Sequence, residues 1–534
     1  MRTLRSVATP LSPQDLARRM GLDKPETLKG FERRLAAMER DGQLLPNRKG
    51  VLLLATKLDF VAGRVLGHRD GFGFLVRDDG GPDIFLSPRE MLKVLHGDRV
   101  LVKPTGEYRG KPEGTIVEVI ERRTNRLVGR FLNERGLNIV VPEDQRIKHD
   151  ILVPPGETGD AQHGQVVTVE IIEQPTRHTQ PLGRVAEVLG EIDDPGMEIE
   201  IAVRKFDVPV DFSPAAMRQA EKLPDEVRRA DLKQRVDLRD VPLITIDGED
   251  ARDFDDAVYC EPVNLGTAKR ARPGWRLVVA IADVSHYVRP GDALDQDALE
   301  RGTSVYFPRR VIPMLPEKLS NGLCSLNPHV DRLVLVCDMV IPASGARAGT
   351  VTAYQFYNAV MHSHARTTYT QVWEALQQPD GPAARALGPV LPHVRHLYEL
   401  YQLLAQARRK RGAIDFDTVE TRIVCNELGR IEQIVPYVRN DAHKLIEECM
   451  LAANTCAADF MTRSKHPGLY RIHEGPTAEK LQALREFLRT LGLKLEGGDQ
   501  PTAKDYLDLL ESARSRPDYQ LLQTMCLRSM QQAM

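Results

Sequence analysis

The chain has 534 residues, of which 42% are hydrophobic and 28% charged, and its formal net charge is −2. This length predicts several domains, and the composition is that of an ordinary globular protein. No apolar run reaches the ~18 residues of a membrane span, and the N-terminus lacks an export signal. The near-zero charge excludes a protein that coats nucleic acid through overall basicity. All seven cysteines lie in the second half without a Cys-x-x-Cys pair, which favours a reducing cytoplasm over a disulfide framework or a zinc knuckle.

The first domain, at residues 1–58, is predicted to contain two helices and a hairpin. Ser12 and Pro13 form a helix start, with serine as the N-cap and proline in the first turn. A second helix follows Pro25 and ends at Asp41-Gly42, and residues 44–45 and 51–54 predict the hairpin. The pattern favours a winged helix-turn-helix, and the alternative is a packing module that never contacts nucleic acid.

From residue 61 the pattern changes to short strands, which predicts two oligonucleotide-binding β-barrels that resemble cold-shock domains. The first barrel, at 61–122, carries Phe72 and Phe74 separated by Gly73, with Phe85 on the next strand. Rings on one strand face, with glycine between them, leave room for a base to stack, so these phenylalanines are candidate RNA-binding residues. Burial in the barrel core is the alternative. A second barrel at 125–190 lacks this arrangement and is expected to be a spacer or a channel wall.

The rest of the chain predicts a connector and one large module. Residues 191–240 form a charged connector with helices expected at 214–223 and 225–235. Residues 241–534 mix apolar strands with long helical stretches at 397–411, 442–463 and 477–491, which is typical of a mixed α/β module. The predicted fold class is therefore a multidomain α+β protein.

The most informative segment is 243–259, in which Asp247, Asp253, Asp255 and Asp256 lie within ten residues between two apolar runs. Carboxylates this close repel one another, and their pKa values rise unless cations lie among them. Hard divalent cations such as Mg²⁺ or Mn²⁺ prefer these oxygen ligands. Two such ions can stabilise the attacking and leaving oxygens of a phosphodiester displacement. A solvated acidic turn is the alternative, and an EF-hand is excluded because its glycine and glutamate positions are not matched.

Six segments, in order, resemble the motifs of the RNB family of exoribonucleases. They are the aspartate segment, 278–288, 302–328, 362–369, 413–417 and 441–450. The order of the predicted domains also resembles that family, so the resemblance covers nearly the whole chain. The fold it implies is a winged helix-turn-helix, two cold-shock-like barrels and an RNB catalytic module at 241–534.

The resemblance implies stepwise hydrolysis of single-stranded RNA from its 3′ end to nucleoside 5′-monophosphates. It implies two divalent ions, usually Mg²⁺ with Mn²⁺ as a substitute, bound by the catalytic residues Asp247, Asp253, Asp255 and Asp256. The expected partner is single-stranded RNA, with its 3′ end threaded into the catalytic module of a monomer.

Two aromatic residues are implied to clamp the last bases of the RNA. They are Tyr306, in a proline-flanked loop, and Phe416, between two aspartates. Stacking tolerates any base and contributes roughly 1–3 kcal/mol per base, as a general degradative enzyme requires. Burial in the core is the alternative for each ring.

Recognition of the ribose 2′-hydroxyl is implied for Tyr369 and Glu448. Such contacts are what distinguish RNA from DNA. Glu448 lies among apolar residues of a predicted helix, where a glutamate is seldom unpaired. The alternative for it is therefore a structural ion pair with Arg439 or Lys444.

The C-terminus departs from the family pattern. Family members continue with a Thr-Ser-Pro-Ile-Arg-Arg-Tyr-type segment, whose arginine binds phosphate, and then with a further barrel. This chain ends at residues 531–534 and contains no Arg-Arg-Tyr. We therefore expect a C-terminally incomplete RNB module that binds RNA and metal but has much reduced nuclease activity.

Two other classes of protein compete with the exoribonuclease. A non-catalytic single-strand RNA-binding protein is the first, but four carboxylates facing a polyanion would weaken its binding by repulsion. A DNA-binding transcription factor is the second, with Lys29, Arg33 and Arg34 on its recognition helix. That reading leaves most of the chain without a role, so the exoribonuclease is favoured.

Overall fold

The computed structural model of the chain describes residues 12–22, 25–40, 44–46, 52–54, 60–134, 136–267, 270–414, 416 and 420–534. They divide into two compact units, one reaching to Val210 and including Glu427–Arg430, the other Asp211–Asn426 with Ile431–Met534. The predictions made on Asp41-Gly42, on residues 47–51 and on the aspartates that flank Phe416 lie outside the described residues. In the described part of the chain, no helix combines the length and the apolar character needed to cross a membrane.

The N-terminal elements are two helices and a two-stranded antiparallel sheet. They are α1 (Pro13–Arg19), α2 (Pro25–Arg40), β1 (Leu44–Pro46) and β2 (Leu52–Leu54). The hydroxyl of Ser12 accepts a hydrogen bond from the backbone N–H of Asp15 at 3.1 Å, which confirms the predicted N-cap. Buried Leu16, Leu35 and Leu44 belong to one small core that joins the helices to the sheet.

The first barrel closes in the strand order β3-β4-β5-β7-β6. Its elements are β3 (Val61–Gly67), β4 (Gly73–Arg77), β5 (Ile84–Leu86), the one-turn helix α3 (Pro88–Met91), β6 (Arg99–Tyr108) and β7 (Lys111–Glu121). Alternate residues of β3 and β4, such as Val65 and Leu75, are buried in its core, as the period of a strand requires.

The second barrel closes in the strand order β10-β12-β11-β8-β9. Its elements are β8 (Arg126–Glu134), β9 (Leu137–Pro142), β10 (Ile151–Leu152), β11 (Val166–Glu173), β12 (Leu182–Gly190) and the following helix α4 (Met197–Lys205). Met197 packs with Val128 and Val166, so this helix covers one side of the barrel. The prediction of two oligonucleotide-binding barrels is confirmed.

A seven-stranded sheet forms the centre of the second unit. Its strands are β13 (Val236–Leu238), β14 (Ile244–Asp247), β15 (Asp256–Asn264), β16 (Pro273–Ala282), β19 (Asp331–Pro342), β20 (Ala353–His362) and β21 (Ala365–Thr368). The strand order is β13-β20-β19-β16-β15-β14-β21. The two edge pairs, β13 with β20 and β14 with β21, are parallel, and the inner pairs are antiparallel.

Helices pack on both faces of this sheet, and the last three helices of the chain form a cluster of their own. The helices of the unit are α5 (Pro214–Glu221), α6 (Ala293–Arg301), α7 (Tyr369–Gln377), α8 (Pro382–Leu387), α9 (Leu391–Lys410), α10 (Asp441–Ser464), α11 (Ala478–Thr490), α12 (Ala503–Ser512) and α13 (Tyr519–Ser529). Two short antiparallel pairs complete the unit: β17 (Val305–Tyr306) with β18 (Val311–Ile312), and β22 (Glu420–Cys425) with β23 (Ile431–Tyr437).

The central strand β16 contributes to two hydrophobic cores. Leu277 and Val279 face α7, α9 and α10, whereas Val278 and Ala280 face α5 and α6. Because successive side chains of a strand point to opposite faces, a continuous apolar run is what a strand buried on both sides requires. The helices α11–α13 form a separate cluster around residues such as Leu484.

The predicted helix at 225–235 is wrong. Only a 3₁₀ turn, Arg229–Leu232, forms there, and β13 follows it. The Asp231 carboxylate accepts a hydrogen bond from the backbone N–H of Arg228 at 3.0 Å, and Arg235 bonds buried Asp283 at 2.5 Å. These side-chain bonds favour a compact turn over a continuous helix.

We expect Leu277→Ala to lower the free energy of unfolding by about 2–5 kcal/mol, because it removes fully buried apolar volume from the central strand. Leu299→Ala is the matched control, since that leucine is 82% exposed on α6, and its effect should stay within about 0.5 kcal/mol. Urea denaturation of both variants measures the difference, and equal losses would contradict the burial argument.

Candidate active site

The four aspartates predicted as metal ligands are brought together at the junction of two sheet strands. Asp247 is the last residue of β14 and Asp256 the first of β15, while Asp253 and Asp255 lie on the loop between them. We call residues 248–255 the carboxylate loop. Because β14 and β15 are antiparallel neighbours, the loop connects the end of β14 to the adjacent start of β15 on the same side of the sheet.

The carboxylates are held in an unfavourable electrostatic state. Burial, followed by repulsion from Asp255 and Asp247, raises the pKa of Asp256 to about 7. Burial also raises the pKa of Asp247. The pKa of Asp255 is raised in the same way, because its carboxyl group is surrounded by protein although the residue as a whole is solvent-exposed. One buried oxygen of Asp256, Oδ2, has no hydrogen-bond partner within the described part of the chain. Buried acceptors are normally satisfied, so this oxygen is suited to a ligand.

These features fit a bound divalent cation. A hard cation prefers carboxylate oxygens, and it would relieve both the repulsion and the unpartnered Asp256 oxygen. The residues that would hold it are Asp247, Asp253, Asp255 and Asp256. Among the residues described, however, no three Asp, Glu, His or Cys side chains already converge as a ready-made metal site.

The carboxylate loop lacks regular structure and is held by groups from other segments. Buried Ser325 donates through its hydroxyl to the backbone oxygen of Arg252 at 2.8 Å and accepts from the N–H of Phe254 at 3.1 Å. The N–H of Leu326 donates to the Phe254 oxygen at 2.7 Å, and that of Ala282 to the Asp255 oxygen at 2.9 Å. The segment 319–328 was identified from the resemblance, but its role as a brace for this loop was not predicted.

Tyr306 is brought directly to the carboxylates. Its side chain is largely exposed, and its hydroxyl donates to Asp253 Oδ2 at 2.5 Å. Burial and this hydrogen bond raise the pKa of Tyr306 to about 12. The core-burial alternative is therefore wrong for Tyr306, and its ring lies at the site with a free face.

Tyr369 also lies beside the carboxylates. Its pKa is raised by burial and then by the Asp247 and Asp256 carboxylates. The ring stacks on His443 with centroids 3.9 Å apart, and the His443 Nε2 atom hydrogen-bonds the hydroxyl of Tyr437 at 2.7 Å. His443 and Tyr437 were not predicted as part of the site, since only the fold shows that α10 and β23 meet there.

Glu448 is not free in this structure. Its carboxylate is buried and accepts a hydrogen bond from Arg408 at 3.0 Å, while Glu447 pairs with Arg439. Glu448 thus forms an ion pair, but its partner comes from α9 and is neither Arg439 nor Lys444. Lys444 instead lies 3.8 Å from Asp441.

Phe416 packs against the cluster formed by α11–α13. It lines a cavity of about 530 Å³ together with Arg408, Glu448 and Tyr519. Phe416 is half-buried, so it packs against a core while one side faces this open space.

The three phenylalanines of the first barrel form one ring cluster, with centroids 5.6–5.9 Å apart. Phe72 and Phe74 are half-buried, but Phe85 is buried beneath the ring of Tyr108, which stacks on it at 4.4 Å. His68 stacks on Phe72 at 4.3 Å. The exposed platform therefore includes Tyr108 and His68, which the sequence analysis missed because neither belongs to the phenylalanine pattern.

The glycine between Phe72 and Phe74 has a different role from the one expected. A Cβ atom at Gly73 would lie 2.5 Å from the sulfur of Met91, inside the barrel. The absence of a side chain at Gly73 therefore lets Met91 of α3 pack in the barrel core. It does not make room for a stacked base. Gly71, by contrast, has φ of +90° in the turn before the strand, a conformation that favours glycine.

Comparison with family models assigns the matched parts of the chain to known domain families. The RNB domain model matches residues 235–534, the cold shock domain model 139–213, and the ribonuclease B OB domain model 63–119. The first match covers more than half of the chain. The chain belongs to the RNB family.

Curated relatives agree with this assignment. The chain is 49% identical over 525 residues to ribonuclease R of Escherichia coli and 49% identical over 529 residues to ribonuclease R of Vibrio cholerae. Each alignment covers 98% of this chain and 63% of the relative. The chain thus spans less than two thirds of the length of these relatives.

Solved structures share the fold. RNase R of Mycoplasma genitalium, in complex with ribose-methylated single-stranded RNA, superposes with a TM-score of 0.80 at 26% identity, covering 89% of this chain and 73% of that one. Yeast Ssd1, a pseudonuclease, superposes with a TM-score of 0.65 at 16% identity, covering 90% of this chain and 64% of that one. The second likeness shows the fold alone, so the chemistry has to be argued from the site.

We expect Asp256→Asn to stabilise the metal-free protein at pH 7.5, where the wild-type carboxyl is largely ionised. The folded-state pKa of about 7 lies above the unfolded value of about 3.9. Between these values the folded chain keeps a proton that the unfolded chain has lost, so wild-type stability falls as pH rises from about 4 to about 7. Each unit of pKa difference corresponds to about 1.4 kcal/mol.

Thermal unfolding in EDTA between pH 4 and 8 measures this effect. The variant should melt above the wild type at pH 7.5, and the gap should close toward pH 4. Asp380→Asn is the control, because that aspartate is exposed on a surface turn and its substitution should give no such trend. A gap for Asp256→Asn that does not change with pH would contradict the raised pKa.

Proposed function

We propose that this chain is a 3′-to-5′ exoribonuclease that hydrolyses single-stranded RNA stepwise to nucleoside 5′-monophosphates. The observation that carries the proposal is the set of four aspartates gathered where β14 ends and β15 begins, with a buried Asp256 oxygen for which the described residues offer no hydrogen-bond partner. A pure RNA-binding protein would gain nothing from carboxylates facing a polyanion. Membership of the RNB family and the ribonuclease R relatives support the same reaction.

The proposed cofactor is Mg²⁺, as two ions, with Mn²⁺ able to substitute. Asp247, Asp253, Asp255 and Asp256 would hold them. When bound, such ions supply an activated water and stabilise the departing oxygen. The chain itself keeps the carboxylate loop in place through Ser325 and neighbouring backbone groups.

The proposed contacts to RNA use rings near the carboxylates. Tyr306 would stack on a terminal base, since its ring is exposed next to Asp253. Tyr369 would contact the ribose 2′-hydroxyl, because its ring lies beside the cluster and is fixed by His443. Phe416 would form the other side of the clamp from its cavity. For Glu448 to read the ribose, it would have to exchange Arg408 for the hydroxyl.

The first barrel is proposed to hold the single strand before it reaches the catalytic module. Its ring platform is flanked by cations, since Lys111 Nζ lies 4.8 Å from the centre of the Phe74 ring and Arg109 lies over Tyr108 at 5.4 Å. Rings with adjacent positive charge suit both bases and phosphates. Phe72, Phe74 and Tyr108 provide the accessible surface, with Phe85 as their support.

We also propose the domain limits 1–58, 61–122, 125–190, 191–240 and 241–534, with the first domain as a winged helix-turn-helix. Two helices followed by a two-stranded sheet support this assignment.

A monomeric cytoplasmic protein is proposed as well. The seven free cysteines, six of which are buried, suit a reducing compartment.

Incubation with 5′-labelled RNA and matching DNA, with Mg²⁺ or with EDTA, tests the reaction. We expect a ladder that shortens from the 3′ end on RNA only, and only with Mg²⁺, at the much reduced rate expected above for this chain. Asp255→Asn should slow it at least about 100-fold, the order of effect of losing one stabilising group in an active site. Asp380→Asn, which alters an exposed aspartate of similar charge, should cleave like the wild type.

A gel shift without cleavage would contradict nuclease activity of this chain and favour the alternatives, a non-catalytic single-strand RNA-binding protein or an inactive nuclease. The shared fold of the pseudonuclease Ssd1 makes this the relevant alternative. Cleavage that persists in EDTA would contradict the metal.

Tyr108→Ala is expected to weaken binding of a single-stranded RNA by roughly 1–3 kcal/mol, the contribution of one stacked base, whereas Tyr108→Phe should retain most of it. The control is Val117→Ala, which removes an exposed apolar side chain from β7 of the same barrel. Fluorescence anisotropy in EDTA, which prevents metal-dependent cleavage, measures the affinities. If all three variants bound RNA as tightly as the wild type, the aromatic platform would not be part of the RNA-binding surface.

A further inference from the structure

The first half of the carboxylate loop is held from the edge of the sheet. Edge strand β21 runs parallel to β14, with Arg366 opposite Thr245 and Thr368 opposite Asp247. From this position Arg366 Nη2 donates to the backbone oxygens of Glu249 at 3.2 Å and Ala251 at 3.1 Å. One guanidinium therefore ties together two points of a backbone segment that forms neither helix nor strand.

Arg366 also reaches the second half of the loop. Its guanidinium carbon lies 4.7 Å from the centre of the Phe254 ring. Phe254 is buried, and in the sequence it lies between the two loop aspartates, Asp253 and Asp255. A guanidinium over a ring face is attracted by the ring quadrupole. Arg366 thus contacts residues on both sides of the loop at once.

We propose that Arg366 is a positioning residue, which holds the carboxylate loop in the conformation from which Asp247, Asp253 and Asp255 bind a divalent cation. The inference rests on the proposed function, since it concerns the cation of that reaction. Among the described residues Arg366 forms no ion pair with a carboxylate, although its charge acts to lower the pKa of Asp247, which burial raises. Its direct contacts are to the backbone oxygens and the ring of its neighbours.

Charge and position make opposite predictions for this arginine. A positive charge near the carboxylates repels a cation, so a residue that acted through charge alone would weaken cation binding, and its removal would strengthen it. A residue that acts by holding the ligands strengthens binding, and its removal weakens it. Groups that orient metal ligands typically contribute about 10–100-fold to metal affinity.

Lysine separates the two effects. Arg366→Lys keeps the charge and three N–H donors, but a compact ammonium lacks the planar guanidinium that lies over the Phe254 ring while one of its nitrogens bonds the two carbonyls. Arg366→Gln removes the charge as well. Two other contacts to this part of the loop are kept in both variants. The Thr370 hydroxyl donates to the Glu249 carboxylate at 2.6 Å, and the Arg422 guanidinium lies 3.1 Å from the Asp250 carboxylate.

Mn²⁺ binding to the metal-free chain, followed by electron paramagnetic resonance of free Mn²⁺, tests the inference without relying on cleavage. We expect both variants to bind Mn²⁺ about 10–100-fold more weakly than the wild type. Arg489→Gln, which removes an exposed arginine from the last turn of α11, should bind like the wild type. Thermal unfolding without metal should be similar for all four proteins, because Arg366 is exposed on an edge strand.

The outcomes separate the inference from the function on which it rests. Unchanged Mn²⁺ affinity in both Arg366 variants overturns the inference alone. Tighter binding by Arg366→Gln with unchanged binding by Arg366→Lys also overturns it, and assigns the arginine a charge effect. A wild-type chain that binds no Mn²⁺ refutes the proposed metal and the inference together.

Discussion

The main constraint on the second unit is that its sheet holds several carboxylates close together, although they repel one another. Asp247 and Asp256 are fixed by adjacent strands, so they cannot separate without breaking the sheet. Burial raises the pKa of Asp256 toward neutrality, which is free energy that folding must supply from elsewhere. The apolar cores on both faces of β16 are the source of that stability. The repelling carboxylates are thus located beside the central strands, where the apolar cores contribute most to stability.

This constraint explains why the site is held by so many groups that never face a ligand. A repelling cluster on a loop without regular structure would spread apart unless its backbone were held. Ser325 and Leu326 hold one side of the carboxylate loop, and Arg366 holds the other. Each of these residues bonds backbone atoms, so the aspartate side chains stay available.

The sequence predicted the parts of this site that are local and chemically unusual. Four aspartates between two apolar runs identified the loop, and Tyr306 was found through its motif. The residues that were missed become neighbours only through the fold. Arg408, the partner of Glu448, comes from a helix forty residues earlier, and no local pattern indicates that pair. The predicted helix at 225–235 failed for the same reason, because the buried bond from Arg235 to Asp283 outweighs local helical preference. Gly73 was read as space for a ligand, although it is needed for packing against Met91.

The hydrogen bond between Tyr306 and Asp253 links two events at the site. While the tyrosine donates to the carboxylate, one oxygen of Asp253 is partly neutralised. Were the ring to turn away, that oxygen would lose its donor, and its attraction for a cation would increase. By thermodynamic reciprocity, a cation that binds Asp253 must in turn favour release of the ring. The state of the tyrosine and the occupancy of the carboxylates are therefore coupled quantities, and neither affinity is a constant of the site.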